Sequence, residues 1–133
     1  MFTLEIKPNV RRIFDVMIRA DGKVIGFHHD YLYQIEQREA VQLTNKTFGI
    51  GGMHKAHVIV NEIVTLDKTF FPAEWTREQV ISKIGEAMGN ASKKYSYQGK
   101  TIYEGITSEG IKVRLTLNNI DNCISSTYPL FRP

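Results

Sequence analysis

Disulfides are excluded at the outset. Cys123 is the sole cysteine among 133 residues, so no internal bridge forms and a reducing compartment is the natural expectation. Long apolar runs are missing too, and nothing approaches the roughly 20 residues that cross a bilayer as a helix. The opening Met1-Phe-Thr-Leu-Glu-Ile-Lys-Pro8 lacks the basic start and apolar middle of a secretion signal, so none is expected. No cysteine pair and no His-Glu-x-x-His spacing accompanies the four histidines, His28, His29, His54 and His57. They therefore do not read as a zinc site, and neither a metal nor a cofactor is expected. Gly49-Ile-Gly-Gly-Met-His54 lacks the Lys-Ser/Thr of a nucleotide-binding loop. Nucleophilic serine and cysteine motifs are absent as well.

What is present is ordinary globular material, 42% apolar and 23% charged. A chain of this length buries one core, so residues 1–133 are expected to form a single domain. The net charge of +3 is compatible with a polyanionic partner without specifying one.

The first third reads as β. Phe14–Arg19 and Val24–His28 flank an Asp21-Gly22 turn, a strong hairpin signal. Residues 30–47 are polar and unperiodic and are expected as loop. His57–Val64 and Lys68–Phe71 read as strands. Thr76 and Gln79 have capping-box spacing, and Val80, Ile81, Ile84, Ala87, Met88 and Ala91 then share a helix face. Ser92-Lys-Lys94 is expected to end that helix. Strands over 101–106, 111–117 and 123–128 follow, with Asn118-Asn119 and Asp121-Asn122 turning between the last two. One main helix among antiparallel strands is an α+β pattern.

The excluded chemistries leave metal-free acid–base work. RNA carries its own nucleophile, the 2′-hydroxyl. Cutting it needs a base near that hydroxyl, an acid near the leaving 5′-oxygen and a cation for the phosphorane. Histidine suits the proton transfers and lysine the charge. His28 and His29, adjacent on a predicted strand, should point to opposite faces, so only one of them enters a given site.

Three stretches resemble the EndoU endoribonucleases, in particular their bacterial toxin branch. Gly22-Lys-Val-Ile-Gly-Phe-His-His29 is similar to that family's second-histidine segment. Lys68-Thr-Phe-Phe-Pro-Ala-Glu-Trp-Thr76 is similar to its Phe-Phe-Pro segment and following helix, and Ile124-Ser-Ser-Thr-Tyr-Pro129 to its closing Thr-x-Tyr-Pro. The likeness runs from about Arg12 to Pro129. It implies an EndoU-like α+β ribonuclease fold of antiparallel sheets with one main helix. It also implies metal-independent cleavage of RNA at uridines, with 2′,3′-cyclic phosphate products.

Residue by residue, the resemblance makes His28 the general base and Lys68 the catalytic lysine, although the bacterial pattern has Ser at that place. Ser126 and Tyr128 correspond to the Thr-x-Tyr pair, with Thr127 and His29 as further substrate contacts. The family's first histidine, the general acid, falls on the first hairpin strand, where this chain has Arg12. Arginine does not give up a proton near neutrality, but it neutralises a phosphorane. Two expectations follow. Either the chain is an altered or inactivated enzyme, or His29, His54 or His57 supplies the acid. The toxin branch further implies an RNA target, transfer RNA among the candidates, a cognate immunity protein, and action in a target-cell cytoplasm after delivery. Two other readings stand beside this one: a catalytically dead EndoU-fold RNA-binding or interaction module, and an unrelated α+β binding domain.

Overall fold

The computed structural model describes residues 11–30 and 40–133. Residues 31–39, part of the expected loop, and the opening peptide lie outside them. A single helical turn, α1 (Arg11–Phe14), precedes a short hairpin of β1 (Val16–Ile18) and β2 (Val24–Gly26). A second antiparallel sheet follows, ordered β3 (Val41–Phe48), β4 (His54–Val60), β5 (Ile63–Phe70). Helix α2 (Arg77–Gly89) leads into a third, ordered β6 (Ser92–Tyr97), β7 (Lys100–Ile106), β8 (Lys112–Asn118), β9 (Ile124–Pro129). The architecture is α+β, with three antiparallel sheets and one main helix, as expected.

The cap of α2 forms as its spacing predicts. Gln79 N–H donates to the Thr76 hydroxyl at 3.1 Å, and Thr76 N–H donates to the Gln79 amide oxygen at 2.7 Å. At the other end the helix stops at Gly89 rather than at Ser92-Lys-Lys94, which instead opens β6. Asn90 supplies the stop. Its side chain donates to the Ile106 carbonyl at 2.8 Å and accepts from Ile106 N–H at 3.0 Å. Beside that clasp, α2 lies so close to β7 that a Cβ on Gly105 would stand 1.8 Å from the Ala87 carbonyl oxygen.

Three other expectations change. Part of the predicted loop is β3, whose side chains beyond Val41 and Leu43 are polar or solvated, so the strand carries no apolar alternation. His57–Val64 is not one strand, because Asn61 and Glu62 both take positive φ and turn β4 into β5. Arg12 lies on α1, not on a hairpin strand.

The core has two parts. Phe27, Val24, Ala56, Val58 and Phe70 fill the hairpin and the second sheet. Phe14, Met53, Phe71, Val80, Ile84 and the inner face of β8 fill the space under α2. Successive Phe70 and Phe71 thus anchor one end of β5 in both parts. Each fully buried ring removes apolar area worth about 1.5–3 kcal/mol.

Candidate active site

The chain departs from β2 through two left-handed residues, Gly26 at φ 68° and Phe27 at φ 60°. Phe27 turns into the core, edge-on to Phe70 with ring centroids 5.2 Å apart, and the break in alternation delivers His28 to a cleft. A Cβ on Gly26 would meet the carbonyl oxygens of Arg12 and Asp15 at 2.9 and 3.0 Å, so glycine is what lets α1 lie against this turn. The His28 backbone is held on both sides. Its N–H donates to the Ile13 carbonyl at 2.6 Å, and its carbonyl accepts from Phe71 N–H at 2.7 Å.

The imidazole is fixed as well. Nδ1 lies 2.8 Å from the Thr69 carbonyl oxygen. A carbonyl only accepts, so Nδ1 carries the proton and the neutral ring keeps its lone pair on Nε2. The other ring contact is Tyr128, centroid to centroid 5.3 Å.

The cleft holds about 390 Å³ and is lined by Arg12, Ile25, Gly26, His28, Asp67, Lys68, Thr69, Ser125, Ser126 and Tyr128. Four separate elements deliver these groups: α1, the end of β2, β5 and β9. In β5 a bulge between the Ala56 and Val58 pairs, with Asp67 at φ 51°, sets the position of Lys68. Ser126 and Tyr128 are two residues apart on β9 and share its outer face, opposite Thr116 and Arg114 of β8. Arg114 donates to the Glu104 carboxylate at 2.8 Å and lies beside the Tyr128 side chain, which adds to the rise in its proton affinity.

The cleft therefore gathers Arg12, His28, Lys68, Ser126 and Tyr128 from the sequence reading. It does not gather the other histidines. His29 is buried, its Nε2 2.8 Å from the Trp75 carbonyl oxygen and its ring edge-on to Phe14. His54 is buried and stacked on Phe70, and His57 Nδ1 accepts from Asp67 N–H on the far side of the bulge. None of the three lines the cleft that a borrowed acid would have to reach. Thr127 points inward from β9 and is fully buried. Among the other lining residues, the sequence reading gave no role to Thr69, which orients His28 through its backbone, to Ser125 or to Asp67.

Burial dominates the electrostatics. It pushes the His28 imidazole down to about 3, the Lys68 ammonium adding to the effect and the Thr69 carbonyl opposing it. Burial also lowers Lys68 to about 8. At neutral pH the cleft thus holds a neutral imidazole beside an ammonium. Among the described residues no cluster of three His, Cys, Asp or Glu is placed to hold a metal ion.

Three histidines with proton affinities lowered chiefly by burial make the fold acid-labile. His28, His29 and His54 are neutral when folded and take up protons on unfolding below the ordinary value of 6.5. Stability is then fully present above pH 6.5 and is lost as pH falls through the window toward 3, by about 1.4 kcal/mol per pH unit for each extra proton bound by the unfolded chain. Urea midpoints measured between pH 7.5 and 4.5, at roughly one-unit steps, should fall steeply below pH 6.5. A flat series would contradict the burial of these rings.

Comparison with known proteins bears on the family. A Bacillus cereus protein named Toxin is 27% identical in an alignment of 129 residues that covers 93% of this chain. The chain spans only 23% of that protein's length. No solved structure matches. Residues 7–131 match the bacterial EndoU nuclease family, a span that contains every residue of the cleft and sets aside the reading as an unrelated binding domain. The chain belongs to the bacterial EndoU nuclease family.

Proposed function

We propose that this chain is a metal-independent endoribonuclease domain that cuts RNA at uridines. The observation that carries the reading is the tautomer lock on His28: Nδ1–H on the Thr69 carbonyl and Nε2 bare in a cleft shared with Lys68. His28 Nε2 takes the proton of a ribose 2′-hydroxyl. The 2′-oxygen attacks phosphorus, the bond from phosphorus to the 5′-oxygen breaks, and a 2′,3′-cyclic phosphate and a 5′-hydroxyl result. Lys68 and Arg12 offset the charge on the phosphorane. An arriving phosphate anion also raises the proton affinity of His28, which makes it a better base in the complex than in the free enzyme. Ser126 and Tyr128 face the base of the attacking nucleotide. The 5′-oxygen takes its proton from solvent, since Arg12 stands where the family resemblance puts a histidine.

The likeness to part of a protein named Toxin supports a role as the nuclease part of a longer, delivered toxin, acting on RNA in the cytoplasm of a target cell and held in check by an immunity protein that covers this cationic cleft. The alternative, an RNA-binding module without activity, draws on the same Arg12. A test that separates the two uses one oligonucleotide with a single uridine, made with ribose or with 2′-deoxyribose at that position. Cleavage of the first and survival of the second is expected. Cleavage of the deoxy form would remove the 2′-hydroxyl from the mechanism, and binding of both without cleavage would favour the inactive module.

A further inference from the structure

The catalytic cleft does not end at β9. A second depression of about 510 Å³ shares Arg12, Ser125, Ser126 and Tyr128 with it and continues across the outer face of the β6–β9 sheet to Tyr95 and Tyr97. The register explains the continuity. Tyr95 is opposite Ile102, Ile102 opposite Thr116 and Thr116 opposite Ser126, so one row of side chains runs from the sheet edge to the active site. Three strand spacings separate the ends, about 14 Å. Tyr95 and Tyr97 are about half exposed, at 49% and 52%, and their rings stack on each other with centroids 5.9 Å apart. Lys100 lies beside Tyr97, and Arg12 and Arg114 stand between the pair and the catalytic cleft. Among the described residues no carboxylate lines the depression; Glu104, on the same face, is held by Arg114.

From this arrangement we infer that the Tyr95–Tyr97 pair is a stacking platform for bases of single-stranded RNA flanking the cut, with Lys100 and Arg12 following the phosphates between platform and scissile bond. Exposed aromatic faces alternating with cations along one track are what sequence-tolerant single-strand binding uses. The inference rests on the reading of the His28 cleft as the cutting site, because that reading gives the track its direction.

The test compares two substrates, the dinucleotide UpA and a single-stranded oligonucleotide with one uridine flanked by adenosines. Both are cut by wild type and by the double variant Tyr95→Ser/Tyr97→Ser, whose exposed positions tolerate the change. The variant should raise KM for the oligonucleotide at least about 10-fold, the size of about 1.4 kcal/mol of stacking, and leave kcat/KM for UpA unchanged. Direct binding of a non-cleavable 2′-deoxyuridine oligonucleotide should weaken equally. Unchanged oligonucleotide affinity would overturn the platform while leaving the cutting site in place, and would leave the tyrosines free for a protein partner. Equal loss on both substrates would overturn it too, since the pair would then act through the catalytic cleft or the fold. Weaker oligonucleotide binding by the variant, with a wild type that cuts neither substrate, would overturn the proposed function and keep the platform.

Discussion

Arg12→His is expected to raise metal-free RNA cleavage by about 10²-fold or more, the usual worth of a positioned general acid. Arg12 lines the cleft with His28, Lys68 and Tyr128. It sits on α1, which is tied to His28 by the bond from His28 N–H to the Ile13 carbonyl. A histidine there would have a proton to give near neutral pH; arginine does not. His28→Ala in the Arg12→His background should remove the gain, because an acid without the base leaves the 2′-hydroxyl unactivated. Arg12 is half-buried on a helical turn, so the substitution is tolerated sterically. If Arg12 serves only as a phosphate contact, Arg12→His will leave the rate constant unchanged, weaken RNA binding and make its salt dependence shallower. Initial rates across pH at two ionic strengths decide between these outcomes.

His28→Ala alone should lower kcat/KM by about 10²–10⁴-fold, and the pH profile of the unaltered protein should explain why. In the proposed mechanism the reactive form has His28 neutral and Lys68 charged. Burial and Lys68 hold His28 down to about 3, and burial brings Lys68 to about 8. The kcat/KM profile, which reports the free enzyme, should therefore be flat through the acidic range in which an ordinary histidine enzyme loses activity. It should decline near pH 8 as Lys68 loses its proton. Lys68→Met removes a like charge from beside His28, so the residual activity should lose its alkaline decline and gain an acidic limb at higher pH than the parent. An acidic limb near 6.5 that Lys68→Met does not move would contradict the placement of the two groups.

How much of this was legible in the sequence depended on what kind of signal each part carries. Local signals were read correctly: the Thr76 cap, the Asp21-Gly22 hairpin and the last three strands all rest on turn residues and periodicity. Signals created by pairing were not. β3 and β6 carry solvated side chains and owe their strand form to β4 and β7, which no periodicity in their own residues announces. The β4–β5 turn hides a glutamate at positive φ, a residue that rarely marks such a turn. In the cleft, His28 is visible through its motif, but what fixes its tautomer is not. The Thr69 carbonyl that fixes its tautomer is a backbone atom with no residue preference. The separation of His28 from His29 was foreseen, though its mechanism was not: the strand ends at Gly26 and the left-handed Phe27 sets the direction. His29 and Thr127, assigned to substrate contact by resemblance, are core residues because their neighbours in sequence face the cleft.

In the proposed mechanism a locked neutral histidine activates the RNA's own 2′-hydroxyl without a metal. End-group analysis of RNA cut in excess EDTA tests it most directly. Undiminished cleavage is expected, with 2′,3′-cyclic phosphate on one fragment and 5′-hydroxyl on the other, and loss of both in His28→Ala. Cleavage that stops in EDTA and returns with a divalent cation, or that leaves 5′-phosphate ends, would contradict it.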